Sequence, residues 1–340
     1  MTADFKFRPP DFTGKTILVT GGTGSFGRCF VDTVTARWAL RKCIVFSRDE
    51  EKQWQMQQEL RGPQYACMRY FIGDVRDADR LELAMRGVDV VVHAAALKHV
   101  PAAEYNPFEC VQTNVIGAQN VVRAALRCGV RQVLALSTDK AANPVNLYGA
   151  TKLAADKIFI ASGNLAGEGG TAFAVVRYGN VLGSRGSVVP LFRRLLAQGA
   201  DHLPITDPRM TRFWITLPQG VDFVLSCLGL MEGGEIFVPK IPSMRLVDLA
   251  ETIAPGLPHR IVGIRPGEKL HEVMIPEDDA ANTYELPDRY VIGTRFTSWT
   301  PASLLARGAA RVADGFRYAS DSNPDWLTRE GLGRLLAALP

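Results

Sequence analysis

The chain has 340 residues, 39 Lys and Arg against 35 Asp and Glu, and a formal net charge of +4. Apolar residues make up 47% and charged residues 22%, which supplies a packed core and excludes a disordered chain. The charge is too small and too scattered for a nucleic-acid-binding protein, and no apolar run reaches the roughly 18–20 residues that cross a bilayer.

Residues 1–10 alternate apolar with charged side chains and lack the apolar stretch of a secretory leader. From there, short apolar runs predict strands over 16–20, 43–47, 68–72, 88–93, 132–137 and 172–177, with helical spacing over 76–85 and 111–126 between them. Runs of about five apolar residues separated by helices are the pattern of parallel strands buried on both faces. The expected fold is therefore α/β, a doubly wound parallel sheet of the nucleotide-binding Rossmann type. After Arg177 glycines and prolines interrupt the rhythm, which implies a smaller C-terminal region of loops and short elements. The expected division is a Rossmann domain over 1–178 and a mainly substrate-binding region over 179–340, with segments able to return to the sheet. The six cysteines (Cys29, Cys43, Cys67, Cys110, Cys128 and Cys227) form no CxxC pair, which fits reduced thiols in a cytoplasmic protein. No histidine spacing implies a metal site.

The first strand runs into TGGTGSFG, with Gly21, Gly24 and Gly27 at GxxGxxG spacing before a helix. Alone such glycines fit a structural turn. After an apolar strand they fit a dinucleotide pyrophosphate, with Thr23, Ser25 and Phe26 completing the turn. The second strand ends Ser47-Arg48-Asp49, with Lys52 one turn on. Ser47, Arg48 and Lys52 suit a 2′-phosphate and favour NADP over NAD, although Arg48 and Lys52 also read as solvated helix-start residues. Asp74 and Val75 after the third strand and Ala94, Ala95 and Ala96 after the fourth are further cofactor candidates.

The fifth strand leads into Ser137-Thr138-Asp139-Lys140, and Tyr148 and Lys152 follow at YxxxK spacing, on one face of a helix. A lysine beside a phenol favours the phenolate, so Tyr148 is a candidate base tuned by Lys152. The spacing taken alone is common.

Together the glycine turn and YxxxK resemble the extended short-chain dehydrogenase/reductases. More narrowly, VHAAALKHVP (92–101), STDKAANPVNLYGATK (137–152), RYGNVLGSRGSVVP (177–190), IRPGEKLHE (264–272) and GFRYASDSNPDWLTREGL (315–332) resemble the inverting UDP-N-acetylglucosamine 4,6-dehydratases. The similarity begins near Gly14, and the first dozen residues look like an addition.

The resemblance implies that the C4 hydroxyl is oxidised, water leaves C6 and the hydride returns to C6 while C5 inverts. The implied roles are Tyr148 as base at the C4 hydroxyl and Lys152 on the nicotinamide ribose. Thr138 would hold the C4 oxygen, Asp139, protonated, would be the donor to the leaving C6 hydroxyl, and Lys140 the base at C5, which requires a neutral amine. Lys98, Asn180, Arg212, Arg265 and Glu268 are the implied substrate contacts. Asp139-Lys140 distinguishes the chain from retaining dTDP-glucose 4,6-dehydratases, which carry Asp-Glu there. The apolar spacing over 111–126 and 148–160 fits either packing on the sheet or, as the resemblance implies, pairing in a homo-oligomer, a dimer or hexamer. A UDP-hexose 4-epimerase, a C5-retaining dehydratase and a non-catalytic NADP-binding sensor are the competing expectations.

Overall fold

The computed structural model describes residues 5–167, 169–184 and 186–337; Arg185, within the 177–190 motif, lies outside the described residues. The first half contributes strands β1 (Thr16–Thr20), β2 (Lys42–Ser47), β3 (Met68–Ile72), β4 (Val90–His93), β5 (Gln132–Thr138) and β6 (Ala172–Tyr178). Helices α1 (Ser25–Arg37), α2 (Glu50–Glu59), α3 (Ala78–Met85), α4 (Val100–Tyr105), α5 (Pro107–Val111), α6 (Gly117–Cys128), α7 (Leu147–Ala161) and α8 (Gly163–Ala166) intervene. All five residues of β1 and all four of β4 are buried, as strands covered on both faces must be. The strand boundaries match the apolar runs to within two residues. Helix α3 starts at Ala78 because Asp77 caps it, accepting from the Arg80 N–H at 2.9 Å. The long helix expected over 111–126 is present and continuous, with α5 passing through a π-helical turn, Gln112–Ile116, into α6. Such a turn widens the helix by one residue and leaves a local irregularity, here beside the cleft described below.

The second half adds strands β7 (Asn180–Val181), β8 (Leu203–Ile205), β9 (Thr211–Ile215), β10 (Ile236–Pro239), β11 (Ser243–Arg245), β12 (His259–Ile261), β13 (Val273–Ile275), β14 (Thr283–Glu285), β15 (Arg289–Ile292), β16 (Ala310–Arg311) and β17 (Tyr318–Ala319). Its helices are α9 (Val188–Ala197), α10 (Leu217–Leu228), α11 (Leu246–Ile253), α12 (Ala302–Ala306) and α13 (Arg329–Ala337). Among the described residues one ten-stranded sheet has the order β16-β14-β15-β10-β6-β5-β4-β1-β2-β3. From β3 to β10 the strands run parallel, and β15, β14 and β16 continue the sheet antiparallel. A second, smaller core gathers Leu182, Phe192, Leu203, Trp214, Leu249 and Leu332, from α9, α11, α13 and the short strands. The sheet order reverses at β1 and β4, which opens a crevice at their carboxyl ends.

Candidate active site

Local backbone chemistry shapes the crevice first. Gly21 has φ +66°, and a Cβ there would lie 2.9 Å from the Ala95 Cα. A Cβ on Gly27 would lie 2.4 Å from the Gly22 Cα, so only glycine lets α1 sit this close to the turn. Gly24 precedes α1 and supplies no side-chain cap, which leaves the first-turn N–H groups facing the crevice.

The result is a cleft of about 790 Å³. Gly21, Thr23, Gly24, Ser25, Phe26 and Gly27 line its floor, and Ser47, Arg48 and Lys52 line the end at β2 and α2. Asp74, Val75 and the Ala94, Ala95 and Ala96 turn close the side, and Tyr148 and Lys152 stand at the far end. The buried Thr20 hydroxyl accepts from the Ala94 and Ala95 N–H groups at 3.2 Å and bonds the His93 Nδ1 at 2.8 Å, which fixes the alanine turn. Thr23 and Ser47 hydroxyls bond each other at 3.0 Å. Lys52 pairs with Asp49, and the Arg48 guanidinium stands 3.7 Å from Asp74. Burial works against ionised Asp74, yet the Arg76 and Arg48 guanidinium groups hold its carboxyl below the ordinary range. The size of the cleft, the glycine cradle and the uncapped helix end fit a dinucleotide.

At the other end, β5 ends at Thr138 and turns through one 3₁₀ turn, Asp139–Ala141. The Asn146 side chain caps α7 by accepting from the Gly149 N–H at 2.7 Å. That start places Tyr148 and Lys152 one turn apart, and a Cβ on Gly149 would meet the Lys140 carbonyl at 2.2 Å. Helix α7 therefore packs directly on the Asp139-Lys140 turn.

Two electrostatic expectations are corrected here. The Tyr148 phenol is not brought down toward neutrality: burial pushes it up to about 12, opposed by Lys140 and the Thr138 hydrogen bond, while Asp139 raises it further. The Lys152 ammonium donates to the Leu136 carbonyl at 2.7 Å, which anchors it beside the phenol. Lys140 does not rest as a neutral amine. Burial favours that form, but the Asp139 and Glu272 carboxylates outweigh it and raise the Lys140 pKa.

Thr138 and Lys140 line the cleft, but Asp139 does not. It is fully buried behind them, its Oδ1 accepting from the Thr138 hydroxyl at 2.7 Å and from Lys140 Nζ at 3.1 Å. Its Oδ2 is buried with no partner among the described residues.

The expected substrate contacts divide. Lys98 and Asn180 line the cleft. Burial lowers the Lys98 pKa, and Asn180 Oδ1 accepts from Lys140 at 3.4 Å. Arg212 does not reach the cleft surface; its guanidinium donates to the Thr211, Leu270 and Lys269 carbonyls at 2.7–3.1 Å. Arg265 and Glu268 share a turn beyond the cleft, 3.9 Å apart, which the Asn146 side chain ties to α7 by donating to the Gly267 carbonyl.

Three side chains at the site were missed by sequence reasoning. Glu272 is 2% exposed and bonds Lys140, and it closes the 264–272 motif that pointed to its neighbours. Thr113 lines the cleft from the π-helical turn, its hydroxyl buried and unpartnered among the described residues. Tyr178, the last residue of β6, faces the same space. No three His, Cys, Asp or Glu side chains converge on a common point among the described residues, and no helix there is long and apolar enough to cross a membrane.

Comparison with known proteins places this geometry. Residues 17–294 match the family model described as polysaccharide biosynthesis protein. The chain is 56% identical over 326 residues to a UDP-N-acetylglucosamine 4,6-dehydratase (inverting) of Campylobacter jejuni subsp. jejuni serotype O:23/36, covering 94% of this chain and 97% of that protein. The structure of Pen from Bacillus thuringiensis superposes with a TM-score of 0.87 at 36% identity, covering 96% of this chain and 98% of that one. DesIV, a dTDP-glucose 4,6-dehydratase from Streptomyces venezuelae with NAD and TYD bound, superposes with a TM-score of 0.65 at 26% identity over 75% of this chain and 86% of that one. The chain belongs to the polysaccharide biosynthesis protein family, with the extended short-chain dehydrogenase/reductase fold, and within it to the inverting UDP-N-acetylglucosamine 4,6-dehydratases.

Proposed function

We propose that the protein removes water from UDP-N-acetylglucosamine across C5 and C6 with inversion at C5, using NADP in an internal redox cycle. The product is UDP-2-acetamido-2,6-dideoxy-β-L-arabino-hexos-4-ulose, a precursor for nonulosonic acid or surface-glycan assembly. One observation carries this reading: a dinucleotide-shaped cleft ends at Tyr148, Thr138 and Lys140, with Asp139 directly behind them.

Tyr148, as phenolate, takes the proton of the C4 hydroxyl, which Thr138 orients. Nicotinamide, when bound, would supply a reversible hydride carrier that accepts from C4 and gives back to C6. Lys140 rests as an ammonium 3.1 Å from Asp139, so passing that proton to Asp139 creates a free amine and a carboxylic acid together. The amine then takes the C5 proton, acidified by the C4 carbonyl. Asp139, shut off from the cleft, gives its proton through Thr138 to the departing C6 hydroxyl, and water leaves. Inversion requires a proton from the face opposite Lys140. Lys98 and Asn180 contact the sugar nucleotide, Arg265 and Glu268, on the turn beyond the cleft, serve its diphosphate and ribose, and Arg212 supports that turn from β9. Ser47 and Arg48 support NADP over NAD by their place at the β2 end of the cleft. Six free thiols suit a cytoplasmic enzyme. The face of α4 to α7, where Tyr105 and Phe108 are 86% and 83% exposed, suits self-association.

Proton NMR of the purified enzyme with UDP-N-acetylglucosamine in deuterated water tests the reading. A C6 methyl signal, L-arabino couplings and deuterium at C5 are expected. Retained D-xylo couplings would remove the inversion, and a 4-epimer without a methyl would make the protein an epimerase. Chromatography of the nucleotide released on denaturation is expected to give NADP.

A further inference from the structure

A buried carboxylate outside the expected site residues holds the centre of this arrangement. Glu272 follows the 264–271 loop and directly precedes β13, and it is 2% exposed. Its Oε1 lies 3.3 Å from Lys140 Nζ and 3.5 Å from Arg212 Nε. Its N–H donates to the Ser320 hydroxyl at 2.9 Å, and Ser320 in turn bonds the Thr211 hydroxyl at 2.7 Å, which locks its backbone. Its Oε2 is buried without a partner among the described residues, the state of a carboxylate that structural needs alone do not explain.

We infer that Glu272 is a positioning residue for the elimination step: it draws the Lys140 side chain across the end of the cleft and ties it to Arg212. This rests on the dehydratase reading above. Lys140 has three acceptors around its nitrogen, Asp139 Oδ1, Glu272 Oε1 and Asn180 Oδ1, at 3.1, 3.3 and 3.4 Å. Asp139 directly follows β5 and Asn180 opens β7 just after β6, whereas Glu272 arrives from the distant loop before β13. The C5 base is thus aimed by the same segment, 264–272, that carries Arg265 and Glu268. Arg212, joined to Glu272 and to the carbonyls of Leu270 and Lys269, fastens that segment to β9. The charged and titratable groups around Lys140 are Asp139, Glu272, Arg212, Tyr148 and Lys269. Of the two carboxylates, Glu272 alone has no part in the proton path through Thr138.

The steps can be read separately. Reduced-nicotinamide absorbance in a single turnover reports C4 oxidation, and the C6 methyl with C5 deuterium reports elimination. Glu272→Gln is expected to leave C4 oxidation within about threefold of wild type and to slow elimination about 10²-fold, the loss typical of a misplaced acid–base group. Glu272→Asp, which keeps the charge on a shorter stem, is expected to recover at least about tenfold of that loss. Equal loss of both steps together with a lowered unfolding midpoint would overturn the inference and make Glu272 structural. So would elimination in the Gln variant within about threefold of wild type. Should Glu272→Gln not fold, Glu272→Asp decides: selective slowing of elimination supports the inference, and parallel slowing of both steps overturns it. A wild type that forms no methyl at all would instead overturn the dehydratase reading.

Discussion

Tyr148 shows how one side chain's chemistry depends on neighbours that spacing does not reveal. Burial disfavours the phenolate, and a cation opposing that effect is Lys140, across the turn, a neighbour that the YxxxK spacing does not reveal. A base works deprotonated, so the rate of C4 oxidation should rise with pH as the phenol ionises. Replacing Lys140 with Met removes a charge that favours the phenolate and should move that rising limb to higher pH. Single-turnover nicotinamide absorbance across a pH series measures it. An unmoved limb would assign the tuning of Tyr148 elsewhere. Tyr148→Phe should lose about 10²–10⁴-fold in the same step while keeping its unfolding midpoint near that of wild type.

Among elements, β1, the glycine turn and α1 act as one unit. Gly27→Ala would force a Cβ to within 2.4 Å of the Gly22 backbone, which cannot yield as a side-chain tip would. Helix α1 must then shift off the sheet, and both stability and the phosphate-facing N–H groups suffer. A loss of about 1–3 kcal/mol in urea unfolding, with little nucleotide co-purifying, is the expected result. Full nucleotide content would show that the helix end does not hold it. These elements were legible because a buried parallel strand is an uninterrupted apolar run and a phosphate turn needs glycines at set intervals. The Asp139-Lys140 turn and Tyr148 were legible for a similar reason, being adjacent in sequence to a strand end. Arg212, Arg265, Glu268 and Glu272 were harder, because their positions depend on how distant loops fold back. In this structure Arg212 spends its donors on backbone carbonyls, and a buried guanidinium serves a loop as readily as a phosphate. The π-helical turn carrying Thr113 has no periodicity signal at all, since one extra residue merely blurs the helical spacing.

For the whole molecule, the N-terminal segment is more than the addition its sequence resembles. The Lys6 N–H donates to Asp288 at 2.7 Å, and the buried Arg289 guanidinium lies over the Phe7 and Phe223 rings at 5.0 and 4.8 Å. Phe5 packs against Phe223 at 4.7 Å, and the chain passes so close to Gly229 that a Cβ there would meet the Arg8 carbonyl at 2.4 Å. Residues 5–8 thus cover a buried cation that would otherwise face water. Deleting residues 1–9 should lower stability by about 2–4 kcal/mol, from lost aromatic burial and cation–π contact. Urea midpoints of full-length and shortened chains measure the difference, and equal midpoints would make the segment dispensable.

The sheet itself carries a last implication. Strand β10 hydrogen-bonds to β6, so backbone from both halves of the chain is woven into one continuous surface beneath the cleft. Strands β10, β15, β14 and β16 are thereby fixed to the cofactor half, while the smaller core of α9, α11 and α13 and its short sheets stand outside that surface. Any widening of the cleft mouth therefore falls to that outer lobe, which can shift without parting a single strand of the main sheet.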